Sequence, residues 1–294
     1  MRLRFEPRVL DLLQGAIDVH IHSAPDVYPR ILSDLDLARQ AQEMGMRAIV
    51  IKNHFASTAG RAWLASDETG FPVFGGIALN HTLGGLNPHA VDFALKMGAR
   101  VVWLPTLHAQ QFLENKSHVK LLAGSLGADL QGICCLDEDG ELKAEVHAIL
   151  DLVARKDVIL ATGHISIAEA RAVVPEAARR GTSRIVVTHP LASFLDYGLD
   201  EMKGILDLGA TYLEHVYNDT THHGGRPITI EDLASAIKAI GAGHCIMSTD
   251  SGQLLNPLPM QQFGIFMQKM LDLGLSEREI RTMTAGNPAQ ALGI

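Results

Sequence analysis

Short runs of β-branched and aliphatic residues alternate along this chain with longer stretches in which apolar residues recur at three- and four-residue spacing. The first pattern predicts buried strands and the second amphipathic helices. Their alternation is the sign of βα units building a parallel sheet. Strands are expected at Ala16–His22, Ala48–His54, Val73–Leu79, Val101–Pro105, Val158–Thr162, Ile185–Thr188, Thr211–Val216 and Cys245–Thr249, with Gln131–Leu136 as an accessory strand leading into a turn at Asp137–Gly140. Helices are expected at Asp34–Met44, His89–Met97, Lys143–Ala154, Ile167–Arg180, Ile230–Ile240 and Met260–Leu273. Several stop at a glycine suited to a helix C-terminus, namely Gly45, Gly98, Gly181 and Gly274.

Eight strands in 294 residues fit one (β/α)8 TIM barrel, which needs roughly 250 residues. No Ser- or Pro-rich linker divides the chain, so a single domain over residues 1–294 is expected. With 47% hydrophobic and 20% charged residues a large core is available. The formal charge of -8, with no cluster of Lys and Arg, argues against nucleic acid as a partner. Three cysteines without a spacing suited to disulfides or to a metal knuckle favour a reducing compartment. The charged N-terminus and the lack of a run of about 18 apolar residues point to a cytoplasmic protein without a membrane partner.

Chemistry collects at the predicted strand ends. The first strand closes with Asp18-Val19-His20-Ile21-His22, where residues two apart face the same side and aim two imidazoles together. Imidazole pairs suit zinc, or manganese, iron or nickel. Three later runs end at His164, His189 and Asp250. In a barrel the strand C-termini share one face, so these residues can converge there. A bound metal lowers the pKa of water towards about 7, and a carboxylate such as Asp250 beside it can take the proton and return it to a leaving group.

On these residues the chain resembles the amidohydrolase superfamily, in which HxH closes strand one, single histidines close strands five and six, and an aspartate closes strand eight. The ending Asn287-Pro288-Ala289-Gln290-Ala291-Leu292-Gly293 is similar to the "NPA..LG" segment that begins the closing helix of that superfamily. The resemblance implies one or two divalent ions, zinc first, held by His20, His22, His164, His189 and Asp250, with Asp250 catalytic. It implies hydrolysis of a C–N or C–O bond in a small amide, lactone or ester. Decarboxylases, hydratases and phosphoesterases on the same barrel, and a non-catalytic metal-binding barrel, are the alternatives. Barrels of this kind often pair through their outer helices, so a homo-oligomer is expected.

One departure stands out. Two-metal members usually place a carbamylated lysine or a glutamate at the end of strand four, but here that strand reads Val101-Val102-Trp103-Leu104-Pro105-Thr106. Lys52, at the end of the second strand, is the candidate replacement. It reads as a carbamylated metal bridge, as a cation for a substrate anion, or as a rim residue. His54 is the fallback ligand and a candidate substrate contact, together with His215 and the His223 and Arg226 of a Gly-containing loop. Asp18 is a candidate brace for His20. Tyr28 and Arg30 lie just beyond the first-strand motif, where they can close over the site.

Overall fold

The structure is a computed structural model that describes residues 5–115, 130–195, 197–221 and 227–294. Among these residues nine parallel strand segments run in chain order: β1 (Ile17–His22), β2 (Ala48–Lys52), β3 (Val73–Phe74), β4 (Gly76–Ala78), β5 (Val101–Trp103), β6 (Ile159–Ala161), β7 (Ile185–Val187), β8 (Tyr212–Val216) and β9 (Cys245–Ser248). β3 and β4 are two halves of one barrel strand, the first paired with β2 and the second with β5. The break falls at Gly75, where any Cβ would be driven into the carbonyl of Thr58. Thr58 bridges the interruption. Its hydroxyl donates to Ile51 O (2.8 Å) and accepts from Gly76 N (2.8 Å).

The eight resulting strands close into a barrel where β9 meets β1. Asp250 N donates to His20 O, and His22 N to Ser251 O, both at 2.8 Å. The (β/α)8 expectation is therefore met.

Alternation along each strand sorts the core into layers. Ala48 and Val50 of β2, Val101 and Trp103 of β5, and Tyr212 of β8 pack with Ile17, Ile159, Val186 and Ile246 in the barrel interior. Ile49 and Ile51, on the opposite parity, pack against the outer helices with Leu37, Phe263 and Met267.

The expected helices are present within one or two residues of their predicted ends, for example Asp34–Glu43, Ile167–Arg179 and Ile230–Ile240. Gly45, Gly98, Gly181 and Gly274 all have positive φ, the conformation in which glycine ends a helix without Cβ strain. Helices at Ala59–Thr69 and Leu199–Asp207 complete units that periodicity alone left open. The expected accessory strand reduces to isolated bridges, Ala109 with Ile133 and Leu136 with Leu142. The second of these closes the turn at Asp137–Gly140.

The NPA segment forms the helix Asn287–Leu292 across the N-terminal end of the barrel. Ala289, Ala291 and Leu292 join the interior cluster, and the Asn287 amide donates to the carbonyls of Ala242 (2.8 Å) and Cys245 (2.7 Å). This helix plugs one end of the barrel and leaves the other for chemistry. Among the described residues no helix is long and apolar enough to cross a membrane.

Candidate metal centre and its cavity

At the C-terminal ends of the strands, His20, His22 and Asp250 bring one donor atom each to within 4.8 Å of one another. His22 Nε2 lies 2.9 Å and His20 Nε2 3.3 Å from Asp250 Oδ1. The pairing of β1 with β2 slips between Asp18 and Ile21. This irregularity lets both imidazoles face inward above Ile17 and Val19, as a bulge re-aims a side chain. Asp18 supports that backbone: its Oδ1 accepts from His20 N (3.1 Å) and Thr249 N (3.2 Å), tying β1 to β9. It does not brace the His20 ring, as had been expected. That contact belongs to Glu214 of β8, whose Oε1 is 3.2 Å from His20 Nδ1. Glu214 occupies the same inward column as Tyr212, and the sequence signal for it was the pairing of a charged residue with an apolar strand.

His164 and His189 join the cluster from β6 and β7. Their rings are 5.0 Å apart, and His189 lies 5.9 Å from His20. His189 (φ 25°) and Asp250 (φ 50°) are two of the three non-glycine residues with positive φ among those described. Such conformations cost on the order of 1–3 kcal/mol each and gather at functional sites. Gly163 precedes His164 with φ 62°, and a Cβ there would strike the carbonyl of Leu104. The chain thus turns sharply at these strand ends, carrying each side chain towards the axis.

Lys52 stands at the top of the inward column Ala48–Val50–Lys52 and is 1% exposed. Its Nζ is 2.9 Å from His20 Nε2 and 5.3 Å from the centre of the Trp103 ring. Trp103 is the last residue of β5, the fourth barrel strand, and packs in the barrel interior, and the Lys52 amine approaches over its face. Gly76 makes room for that indole, since a Cβ at residue 76 would collide with it and with Val101 O.

Burial dominates the electrostatics. It pushes Lys52 down to about 8 against the favourable charges of Asp250 and Glu214. It also holds His22, His54 and His164 well below the usual imidazole range and takes His189 to about 3. Burial would raise Asp250, but His20, His22 and the Lys52 ammonium more than offset it and keep its carboxyl well below the usual range. Asp219 is pushed well above its ordinary value by burial and by the charges of Asp250 and Glu214. Burial therefore favours the neutral form of His22, His164 and His189 beside an ionised Asp250, the protonation state that metal binding requires.

The donor set fits a divalent ion on a second ground. Among the described residues Nδ1 of His22, His164 and His189 is buried without a hydrogen-bond partner, so no structural bond seen there consumes these rings. A cavity of about 300 Å³ opens above the cluster, lined by His22, Lys52, His54, His164, His189 and Asp250 and walled by Leu107, Phe112, Phe194, Leu254 and Leu255. His54 lies at its edge, its Nδ1 2.9 Å from Thr106 Oγ1 and its ring stacked 4.8 Å from His22.

His215 is not part of this lining. It follows the inward Glu214 on β8 and so faces the helix layer, buried with both ring nitrogens unpaired among the described residues. Its proposed contact with substrate is corrected accordingly. His223 and Arg226 lie outside the described residues. The sequence reading passed over Asp219, which lines the cavity with its Oδ1 3.7 Å from His189 Nδ1. Asn218, a strand-end residue expected to line the pocket, does so, and its Nδ2 donates to Asp250 Oδ2 at 3.2 Å.

The same architecture is found in known structures across nearly the whole chain. An amidohydrolase from Pseudomonas aeruginosa is similar at 13% identity over 98% of each chain, with a TM-score of 0.64. The "probable dipeptidase PvdM" of the same organism is similar at 11% identity over 98% of each chain, with a TM-score of 0.63. An organophosphorus hydrolase from Deinococcus radiodurans is 14% identical over 97% of this chain and 94% of its own, with a TM-score of 0.56. At these identities the likeness is one of fold, and it is the fold that the resemblance to the amidohydrolase superfamily implies. No curated protein matches the sequence. A family model does match, over residues 15–214, and the chain belongs to the Family of unknown function (DUF6282).

Proposed function

We propose that the protein is a divalent-metal-dependent hydrolase that cleaves a C–N or C–O bond in a small amide, lactone or ester. The observation that carries this reading is the convergence of His20, His22 and Asp250 within 4.8 Å at the floor of a cavity, at the end of the barrel opposite its plug. His164 and His189 complete the donor set, and zinc is the first candidate for such nitrogen and carboxylate ligands. The names of the fold's neighbours, an amidohydrolase, a dipeptidase and an organophosphorus hydrolase, support a hydrolytic reaction.

A divalent ion in this cluster supplies Lewis acidity towards a carbonyl oxygen and acidifies a water. The protein's own groups do the rest. Asp250 presents Oδ1 to His20 and His22 while Oδ2 accepts from Asn218, so its carboxylate is fixed in orientation beside the cavity. Its ionised state lets it accept a proton at Oδ2 or Oδ1 and return it to the departing nitrogen or oxygen. Glu214 keeps the His20 proton on Nδ1, which leaves Nε2 as a donor atom. Phe112, Phe194 and Leu107 limit the water that reaches the scissile bond.

Lys52 belongs to this proposal as the bridging ligand. Its deprotonated amine would add to carbon dioxide, forming a carbamate and releasing one proton, and the carbamate oxygens would stand beside His20. Its depth above Trp103 supports the assignment.

Elemental analysis after zinc or manganese loading, paired with an assay of Asp250→Asn on amides, lactones and esters, tests the reading. Stoichiometric metal and a fall in kcat of about 100-fold or more are expected, the scale of general acid–base catalysis. A protein that binds no divalent metal, and whose stability and activity are unmoved by added metal, would overturn it. For the bridge, Lys52→Ala is expected to lose one equivalent of metal, and full stoichiometry in bicarbonate-rich medium would remove Lys52 from the ligand set.

A further inference from the structure

Among the described residues the cavity holds one cation outside the candidate metal centre. Arg30 lies on the loop after β1 and lines the cavity with His22 and Asp250. That loop is firmly placed. Arg30 pairs antiparallel with Gln253, Ile31 N donates to Gly252 O at 3.0 Å, and Ala24 N donates to Leu32 O at 2.8 Å. The guanidinium is also fixed: its Nε donates to Asp26 Oδ2 at 2.7 Å, with the Arg30 side chain 5% exposed and that of Asp26 fully buried. This is its single hydrogen bond among the described residues, so the Nη donors remain for a ligand. A largely desolvated guanidinium with free, forked N–H groups binds a planar oxyanion in two-point fashion.

The other charged groups of the cavity are committed elsewhere. The Lys52 amine is engaged with His20 and the Trp103 ring, and Asp250 with His20, His22 and Asn218. Asp219 faces His189. The cavity that Arg30 shares with the candidate metal ligands is walled largely by apolar groups, from Leu107, Phe112, Phe194, Leu254 and Leu255. The guanidinium is ion-paired through Nε with Asp26 and lies 6.0 Å from the centre of the Tyr28 ring, so what it offers a ligand is the pair of Nη groups, a fork that matches one planar carboxylate better than a dianion, and the apolar walls match a hydrocarbon or aromatic body. We infer that Arg30 recognises a carboxylate on the substrate, so that the molecules this site takes are small carboxylic acids with an apolar body. Turnover of such acids rests on the hydrolase reading above, whereas their binding does not.

Binding is therefore measured first, by calorimetry on protein stripped of metal with EDTA, so that a bound ion cannot capture the anion. The probes are phenylacetate, its neutral analogue phenylacetamide, and benzylphosphonate. Phenylacetate is expected to bind at least tenfold more tightly than phenylacetamide, and Arg30→Gln to weaken phenylacetate by about 10- to 100-fold, the range of charge-assisted hydrogen bonds. Arg30→Lys, which keeps the charge and the Asp26 partner, is expected to retain part of the preference. Equal affinity for the acid and the amide in the unaltered protein would overturn the inference without recourse to any variant. So would phenylacetate binding that Arg30→Gln leaves unchanged, and tenfold tighter binding of benzylphosphonate would replace the carboxylate with a phosphoryl group.

Zinc-loaded protein is then assayed on N-acetylphenylalanine and its carboxamide. Arg30-dependent binding with no hydrolysis of any substrate would sink the hydrolase reading and keep the ligand class. Hydrolysis of both at equal kcat/KM, insensitive to Arg30→Gln, would do the reverse.

Discussion

Glu214→Gln is the most informative single change in the candidate metal centre, because it alters one charge behind the proposed ligands without removing any of them. Glu214 is 2% exposed, and its Oε1 is the partner of His20 Nδ1 at 3.2 Å. That contact fixes the ring and its tautomer, directing the Nε2 lone pair towards Asp250 and Lys52. A glutamine has nearly the same shape, so packing is preserved. Its neutral oxygen is a weaker acceptor, however, and no longer raises the basicity of the imidazole. Loss of a carboxylate behind a metal-bound histidine typically costs about 10- to 100-fold in affinity, or roughly 1.4–2.7 kcal/mol. Competition between the protein and a chromophoric chelator for zinc at fixed pH reads this directly, with urea unfolding of the metal-free protein as the control for stability. Affinity within threefold of the unaltered protein, under conditions where His20→Ala abolishes binding, would refute the claim that Glu214 orients His20.

Two further changes separate the scaffold from the site. Asn287→Ala removes amide donors to the carbonyls of Ala242 and Cys245 at the plugged end of the barrel and is expected to cost about 2–4 kcal/mol in urea unfolding, with metal stoichiometry unchanged. A variant of normal stability would show that the NPA segment does not hold the barrel end. His215 is buried with both nitrogens unpaired among the described residues, and burial lowers it to about 4. The unfolded chain, with an ordinary histidine near 6.5, takes up the proton first, so the stability present above about pH 6.5 is lost as pH falls towards about 4, by about 3 kcal/mol. His215→Phe is expected to remove that part of the acid sensitivity, and identical stability-versus-pH slopes in the two proteins would contradict it.

The parts of this molecule that periodicity describes were legible in the sequence. Ala48–Val50–Lys52 alternates with Ile49–Ile51, and that simple parity carries Lys52 inward as surely as it carries the valine. The HxH pair was legible for the same reason. What was not legible depends on departures from parity. The slip in β1 between Asp18 and Ile21 converts Asp18 from a brace for an imidazole into a clamp between β1 and β9. Likewise Glu214 and His215 are neighbours in sequence, yet one reaches His20 and the other faces the helices, and only the three-dimensional register decides which. The role of Arg30 was legible only as proximity, because its value lies in the donors that Asp26 leaves free.

The position of the barrel seam explains why the site forms where it does. The first and last strands meet through Asp250 N to His20 O and His22 N to Ser251 O, and these closing bonds belong to the residues whose side chains form the donor cluster. The backbone bonds that complete the barrel therefore set the separation of His20, His22 and Asp250 directly. The positive φ of Asp250 follows from the same constraint, since the chain must hand its amide to β1 while turning its carboxylate to the axis. A strained residue at this seam persists because the closed barrel over-determines it. Closure and metal binding are thus coupled: ligands drawn from the two chain ends favour the closed state, so a bound ion stabilises the fold by an amount that grows with its free concentration relative to its Kd.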